Sequence, residues 1–142
     1  MKTVRDILRV KGSEVWRIPF EATVLEALQT MADKQVGALM VVDDHHPVGI
    51  ISERDYARKV ILHGRSSLTT LVNEIMSTHV VYTHPDQPIE ECMAIMTDKR
   101  IRHLPVMDES KLVGIISIGD LVKAIIAEQK FTIEQLERYI RG

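Results

Sequence analysis

The chain has 142 residues, with 18 Lys and Arg against 20 Asp and Glu, a formal net charge of −2. That balance gives little support to nucleic-acid binding, which normally rests on a basic surplus or stripe, and a 45% hydrophobic fraction argues against a disordered chain. Apolar runs such as Ala38 to Val42 fall far short of the roughly 18 residues that span a bilayer, and the charged start Met1-Lys2-Thr3-Val4-Arg5-Asp6 has no secretory h-region. Cys92 is the single cysteine, so no intrachain disulfide or cysteine-rich zinc site can form. A reducing cytoplasm is the expected location.

The chain is organised by a repeat. Val48-Gly49-Ile50-Ile51-Ser52 returns 65 residues later as Val113-Gly114-Ile115-Ile116-Ser117. The same shift aligns Glu26 with Glu91, Met31 with Met96, Asp33-Lys34 with Asp98-Lys99, and Asp55 with Asp120. An upstream echo, Asp6-Ile7-Leu8 against Glu74-Ile75-Met76, sits at a shift of 68, which places three extra residues near Lys11 to Val15. In chain order, each copy predicts a short strand (Val15 to Ile18, Val80 to Tyr82) and a helix carrying Val24, Leu28 and Met31 or Ile89, Met93 and Met96 on one face. Thr23 with Glu26 forms a capping box at the first of these helices. Two apolar strands then flank a polar turn, Asp43 to Pro47 or Asp108 to Lys111, and a second helix follows at Glu53 to Leu62 or Ile118 to Glu128. Pro105 lacks a backbone donor, so its strand is expected at an edge or paired on one side. The fold class is α+β: two β-α-β-β-α repeats, 1–66 and 67–129, and a C-terminal helical tail, 130–142. Neither small sheet can bury its apolar face alone, so the repeats are expected to pack sheet to sheet as one pseudo-two-fold module with two quasi-equivalent pockets.

Ser52-Glu53-Arg54-Asp55 and Ser117-Ile118-Gly119-Asp120 both stand where an apolar strand hands over to a helix. An S-x-x-D there is a capping box that satisfies backbone donors. It also has the chemistry to hold a ribose diol with the carboxylate while the hydroxyl and helix-start N–H groups face a phosphate. The two readings do not exclude each other. The pattern apolar-Gly-Ile-Ile-Ser-x-x-Asp, given twice after a Leu-Pro-Val-like strand, resembles a tandem pair of cystathionine-β-synthase (CBS) domains, a Bateman module, from about Val4 to Glu128. That resemblance implies a stand-alone, non-enzymatic sensor of adenosyl ligands (AMP, ADP, ATP, NAD or S-adenosylmethionine), with no catalytic cofactor. It implies that Asp55 and Asp120 hold ribose, with Ser52 and Ser117 near phosphate. It further implies that each pocket borrows the residues before the other repeat's central strand: Ile101, Arg102 and His103 for Asp55, and Val36, Gly37 and Ala38 for Asp120.

On that assignment Arg102 and His103 offer charge-assisted donors, whereas Gly37 and Ala38 offer backbone and space, so the Asp55 pocket is expected to be the better phosphate site. The plain alternatives are a solvated strand-end arginine and a structural histidine. Arg54 has equal claims as a phosphate contact and as a surface ion pair. Trp16 borders the Asp120 pocket in this reading and either stacks on a purine or belongs to the core; Val15 and Val81 serve as apolar walls.

Catalysis has no evident nucleophile with a base. Cys92 aligns with Ala27 on an apolar helix face, His45-His46 occupies a turn, and no phosphate-binding Gly-x-x-x-x-Gly-Lys-[Ser/Thr] loop exists. No metal site is expected. In the tail, Ile133, Leu136 and Ile140 share one helical face, which docks on the chain's own core or helps join two modules as a homodimer. Rival functions are a dimerising scaffold with vestigial pockets and a nucleic-acid-linked regulator; an unidentified protein target completes the sensor reading.

Overall fold

A computed structural model describes residues 2–141. The elements run α1 (Val4–Lys11), β1 (Arg17–Pro19), α2 (Val24–Lys34), β2 (Ala38–Asp43), β3 (His46–Ser52), α3 (Glu53–Tyr56), α4 (Val72–Ile75), α5 (Ile89–Lys99), β4 (His103–Asp108), β5 (Lys111–Ser117) and α6 (Ile118–Arg141). The chain folds into two compact units, and they are not cut where the repeats end in sequence. One holds Val15–Val80; the other combines residues 2–14 with residues 81–141. The repeat boundary expected at 66/67 therefore falls inside the first unit.

The first unit is built on a three-stranded sheet of order β1-β2-β3, parallel between β1 and β2 and antiparallel between β2 and β3. Its core is Val24, Ala27 and Met31 of α2 packed on Leu39, Val41 and Ile51 of the sheet, closed by Val72 and Ile75. These helix positions are three and four residues apart, one face of an α-helix, and Leu39 and Val41 share one face of a strand by alternation. The second unit repeats the plan with Ile89, Cys92 and Met96 on Leu104, Val106 and Ile116, closed by Val4 and Ile7 of α1.

The hairpins match closely. Both close through two residues in the left-handed region, Asp44 and His45 (φ 48 and 70) or Glu109 and Ser110 (φ 48 and 69). Two successive positive φ values fit the right-handed strand twist, as in a type I′ turn, here without glycine. Both ladders also shift register at the equivalent place, between Val41 and Val42 and between Val106 and Met107.

One expected strand is missing. Residues 80–82 form no ladder, and only a single parallel bridge, Thr83 to Val106, marks the position. In the first unit the Met40 N–H donates to the Trp16 carbonyl at 3.1 Å. The residue equivalent to Met40 is Pro105, which has no N–H to give, so the second sheet keeps two strands, β4 and β5.

The closing helices are exchanged between repeats. The Val4 and Arg5 N–H groups donate to the carbonyls of Gln87 and Pro85, as those of Val72 and Asn73 donate to Ala22 and Phe20. The shift of 68 thus pairs two helices that each complete the unit of the other repeat. The motif glycines make the room: a Cβ on Gly49 would lie 2.8 Å from both Met76 Sδ and the Ser77 carbonyl oxygen, and one on Gly114 would lie 2.7 Å from Leu8 Cδ2.

The second helix of each repeat diverges. α3 widens after one turn into a π-helical turn, Ala57–Ile61. α6 instead runs unbroken for 24 residues, so the tail expected from 130 is a continuation of the second repeat's own helix. Of the stripe identified there, Ile133, Leu136 and Ile140 are all exposed.

Candidate ligand site at two strand-to-helix corners

Both S-x-x-D segments fold as capping boxes. The Ser52 N–H donates to Asp55 Oδ2 at 2.9 Å, the Ser52 hydroxyl approaches the same oxygen at 3.1 Å, and the Asp55 N–H donates back to Ser52 Oγ at 3.3 Å. At the other corner the Ser117 N–H donates to Asp120 Oδ2 at 2.8 Å and the Asp120 N–H to Ser117 Oγ at 3.2 Å. Each side chain satisfies a donor that the first helical turn leaves open, and each carboxylate sits against the positive end of its helix.

The residues before each central strand lie at the corner of their own repeat. The Glu53 N–H donates to the Gly37 carbonyl at 3.1 Å, and Ala38 pairs with Ser52 in the β2–β3 ladder. Correspondingly, the Ile118 N–H donates to the Arg102 carbonyl at 2.9 Å, and His103 pairs with Ser117. The first unit thereby assembles Val36, Gly37, Ala38, Ser52 and Asp55, and the second assembles Ile101, Arg102, His103, Ser117 and Asp120. Trp16 packs against the first core with the Lys34 ammonium 4.4 Å from its ring centroid, so a cation covers the ring. Val81 packs against the second core.

Two lysines that the motif does not announce complete the corners. Lys59 Nζ stands 3.2 Å from Asp55 Oδ1 and donates to the Ile75 carbonyl at 2.8 Å, tying the corner helix to the end of α4. Its place one turn beyond Asp55 is a readable i,i+4 signal. Lys11 is 109 residues from its partner: its ammonium donates to Asp120 Oδ2 at 2.7 Å and to the Ile115 carbonyl at 2.6 Å. Burial pushes the Asp120 carboxyl up, but the Lys11 ammonium and the Ser117 N–H outweigh it and hold the group below its ordinary range.

Beside Asp120 the second unit has a cavity of about 380 Å³ between α1 and α6. Lys2, Lys11 and Lys123 bring positive charge to it, Asp6 and Asp120 negative. Asp6 is held by the Thr3 N–H at 2.9 Å, which lowers its carboxyl below the ordinary value, and Arg9 lies 3.6 Å away. Cys92 is fully buried beside the Thr83 hydroxyl, and burial pushes its thiol up, away from the reactive thiolate. Among the described residues, no group of three or more His, Cys, Asp or Glu side chains is placed to hold a metal ion, and no helix is long and apolar enough to cross a membrane.

A capped, carboxylate-bearing corner built twice in two equivalent units is matched by the CBS domain profile over residues 4–62 and 72–127. The chain belongs to the CBS domain family. It is 38% identical over 99% of its length to the mitochondrial CBS domain-containing protein CBSX3 of Arabidopsis thaliana, spanning 72% of that protein. A CBS-domain protein from Burkholderia ambifaria, named for signal transduction, superposes with a TM-score of 0.86 at 50% identity, covering 90% of this chain and 96% of that one. The CBS domain pair of protein MJ0100, solved in complex with 5′-methylthioadenosine and S-adenosyl-L-methionine, superposes with a TM-score of 0.79 at 25% identity, over 90% and 98% of the two chains. The present chain is therefore a CBS domain pair of the α+β class.

Proposed function

We propose that this CBS pair is a non-enzymatic sensor of adenosyl ligands. The observation that carries the proposal is the twofold corner, in which a serine and an aspartate are fixed at a helix start with the carboxylate only 15% or 18% exposed, oriented by backbone rather than adrift in solvent. Binding of 5′-methylthioadenosine and S-adenosyl-L-methionine by the related MJ0100 pair supports the ligand class. In this reading Asp55 and Asp120 each grip a ribose, and Ser52 and Ser117 lie toward a phosphate or its substitute. Val36, Gly37, Ala38 and Trp16 of the first unit, and Ile101, Arg102, His103 and Val81 of the second, are the further candidate contacts. The ligand acts by population shift, favouring the conformation that binds it best, and so alters the surface offered to a partner protein. A cytoplasmic homodimer responding to adenine nucleotide state is the working assembly.

The test is a thermal-shift and calorimetry panel of AMP, ATP, NAD and S-adenosylmethionine. A ligand at 100 times its Kd stabilises the fold by about 2.7 kcal/mol, and Asp55→Ala and Asp120→Ala each remove one site's share. Parent-like binding in both variants contradicts the ribose assignment. The exposed tail face, with Ile133 56%, Leu136 57% and Ile140 81% accessible, favours a second reading, a dimerising scaffold. That reading requires no response to any adenosyl compound and a dimer lost on Leu136→Glu.

A further inference from the structure

Among the corner contacts, one is made by a cation from a distant part of the chain. The Lys11 ammonium sits on the same oxygen of Asp120 that accepts the Ser117 N–H, at 2.7 and 2.8 Å. A ribose diol approaching that carboxylate competes with a full positive charge, and a neutral sugar offers the displaced ammonium nothing in return. Lys11 is one of three lysines on the 380 Å³ cavity next to Asp120. Of the other two, Lys2 acts electrostatically on Asp6, which also lines the cavity, and Lys123 forms no ion pair among the described residues. Ile7 and Val10 add apolar wall from α1. The volume falls in the range of small-molecule sites, and apolar walls with a few placed charges are the ordinary make-up of such a site.

We infer that Lys11 is a specificity-determining latch: the Asp120 site admits adenosyl ligands that carry a phosphate or polyphosphate, because that anion takes Lys11 off the carboxylate and holds it, together with Lys123 and Lys2, while Asp120 turns to the ribose. The inference rests on the ribose reading above and adds which ligand class this corner accepts. Neutral adenosine leaves the Lys11–Asp120 pair uncompensated, and S-adenosylmethionine, net cationic with a single carboxylate against its sulfonium and ammonium, brings surplus positive charge toward three lysines. The Asp55 corner has no such distant latch; its lysine is on its own helix.

The experiment is calorimetric titration of ADP, adenosine and S-adenosylmethionine into the full chain carrying Asp55→Ala, so that the Asp120 site is read alone, with the fold checked by circular dichroism. ADP should bind about tenfold or more tighter than adenosine, the scale of one charge-assisted phosphate contact. Lys11→Met should weaken ADP while strengthening adenosine, and Lys123→Met should weaken ADP alone. That opposite movement is a signature that simple loss of fold does not give. Equal affinities for ADP and adenosine, or a Lys11→Met change that lowers both alike, would overturn the latch and leave the ribose reading standing. Absence of binding by all three ligands, in the latch-free Lys11→Met variant as well, would overturn the ribose reading itself and the latch with it.

Discussion

The two units are built from equivalent residues, yet their corners are secured differently. Asp55 takes its cation from one turn along the same helix, whereas Asp120 takes its own from α1 at the far end of the chain. The difference follows from the exchanged helices. Lys59 belongs to the corner and reaches out to the carbonyl end of α4; Lys11 ends α1 and reaches in to the corner. A single architectural joint, helix end against strand-to-helix corner, is closed from opposite sides. The first corner can form as a local element, but the second is complete only when residues 109 apart have met.

The largest test of that equivalence is in the cores. Leu39 and Leu104 are both fully buried at the same position of β2 and β4. Leu39→Ala and Leu104→Ala should each cost about 2–5 kcal/mol, and denaturant unfolding followed at the two units should show similar losses. A marked inequality would mean that the units are not energetically alike despite their shared plan.

A smaller effect should separate the units. At Gly49 an added methyl meets the Ser77 carbonyl, and Ser77 is fixed by hydrogen bonds in both directions to Ile50 at 2.9 and 3.0 Å. At Gly114 the obstacle is the end of the Leu8 side chain, which can change rotamer. Gly49→Ala should therefore destabilise by about 1–3 kcal/mol, the scale of overpacking, and Gly114→Ala by clearly less. Equal thermal shifts would show that the exchanged segments yield equally well.

Next comes the start of the long helix in each repeat. Thr23 accepts the Glu26 N–H at 3.2 Å, whereas the equivalent cap in the second unit is Pro88, with no side-chain cap. Thr23→Ala should cost about 1 kcal/mol, and Pro88→Ala should lack any cap loss; chemical denaturation of both variants compares them.

The smallest effect is electrostatic and carries a sign. Asp120 has a folded pKa below its ordinary value of 3.8. Its contribution is therefore present above that value and is lost as pH falls through the lower folded one. Removing the partly exposed pair with Lys11→Met should cost about 0.5–1 kcal/mol at neutral pH, and the cost should vanish in acid. A loss that persists unchanged at acid pH would indicate that the lysine stem's packing matters, not its charge.

Much of this fold is legible in the sequence because the repeat is ungapped from Val15 onward. The shift of 65 carries the hairpins, the left-handed helix ends at Gln35 and Arg100, and both capped corners across to the second copy. Pro105 announces one-sided pairing, but the consequence, loss of the neighbouring strand at 80–82, needs the partner carbonyl of Trp16 in the first unit to become visible. The helix exchange is present only as the jump in shift from 65 to 68, since sequence spacing does not say which sheet an amphipathic turn will cover. The corner motif is legible as chemistry, while the Lys11–Asp120 contact is not: nothing in a string of residues distinguishes Lys11 from the other surface lysines until α1 is docked. The family resemblance implies phosphate donors at Arg102 and His103 for the Asp55 pocket; the structure shows Lys2, Lys11 and Lys123 lining a cavity beside Asp120.

The most direct measurement is the stoichiometry of ADP binding in the parent chain, the two single variants Asp55→Ala and Asp120→Ala, and the double variant. Two sites in the parent, one in each single variant and none in a folded double variant is the outcome this account expects. A folded double variant that still takes up nucleotide as the parent does would mean that the carboxylates serve their helices alone.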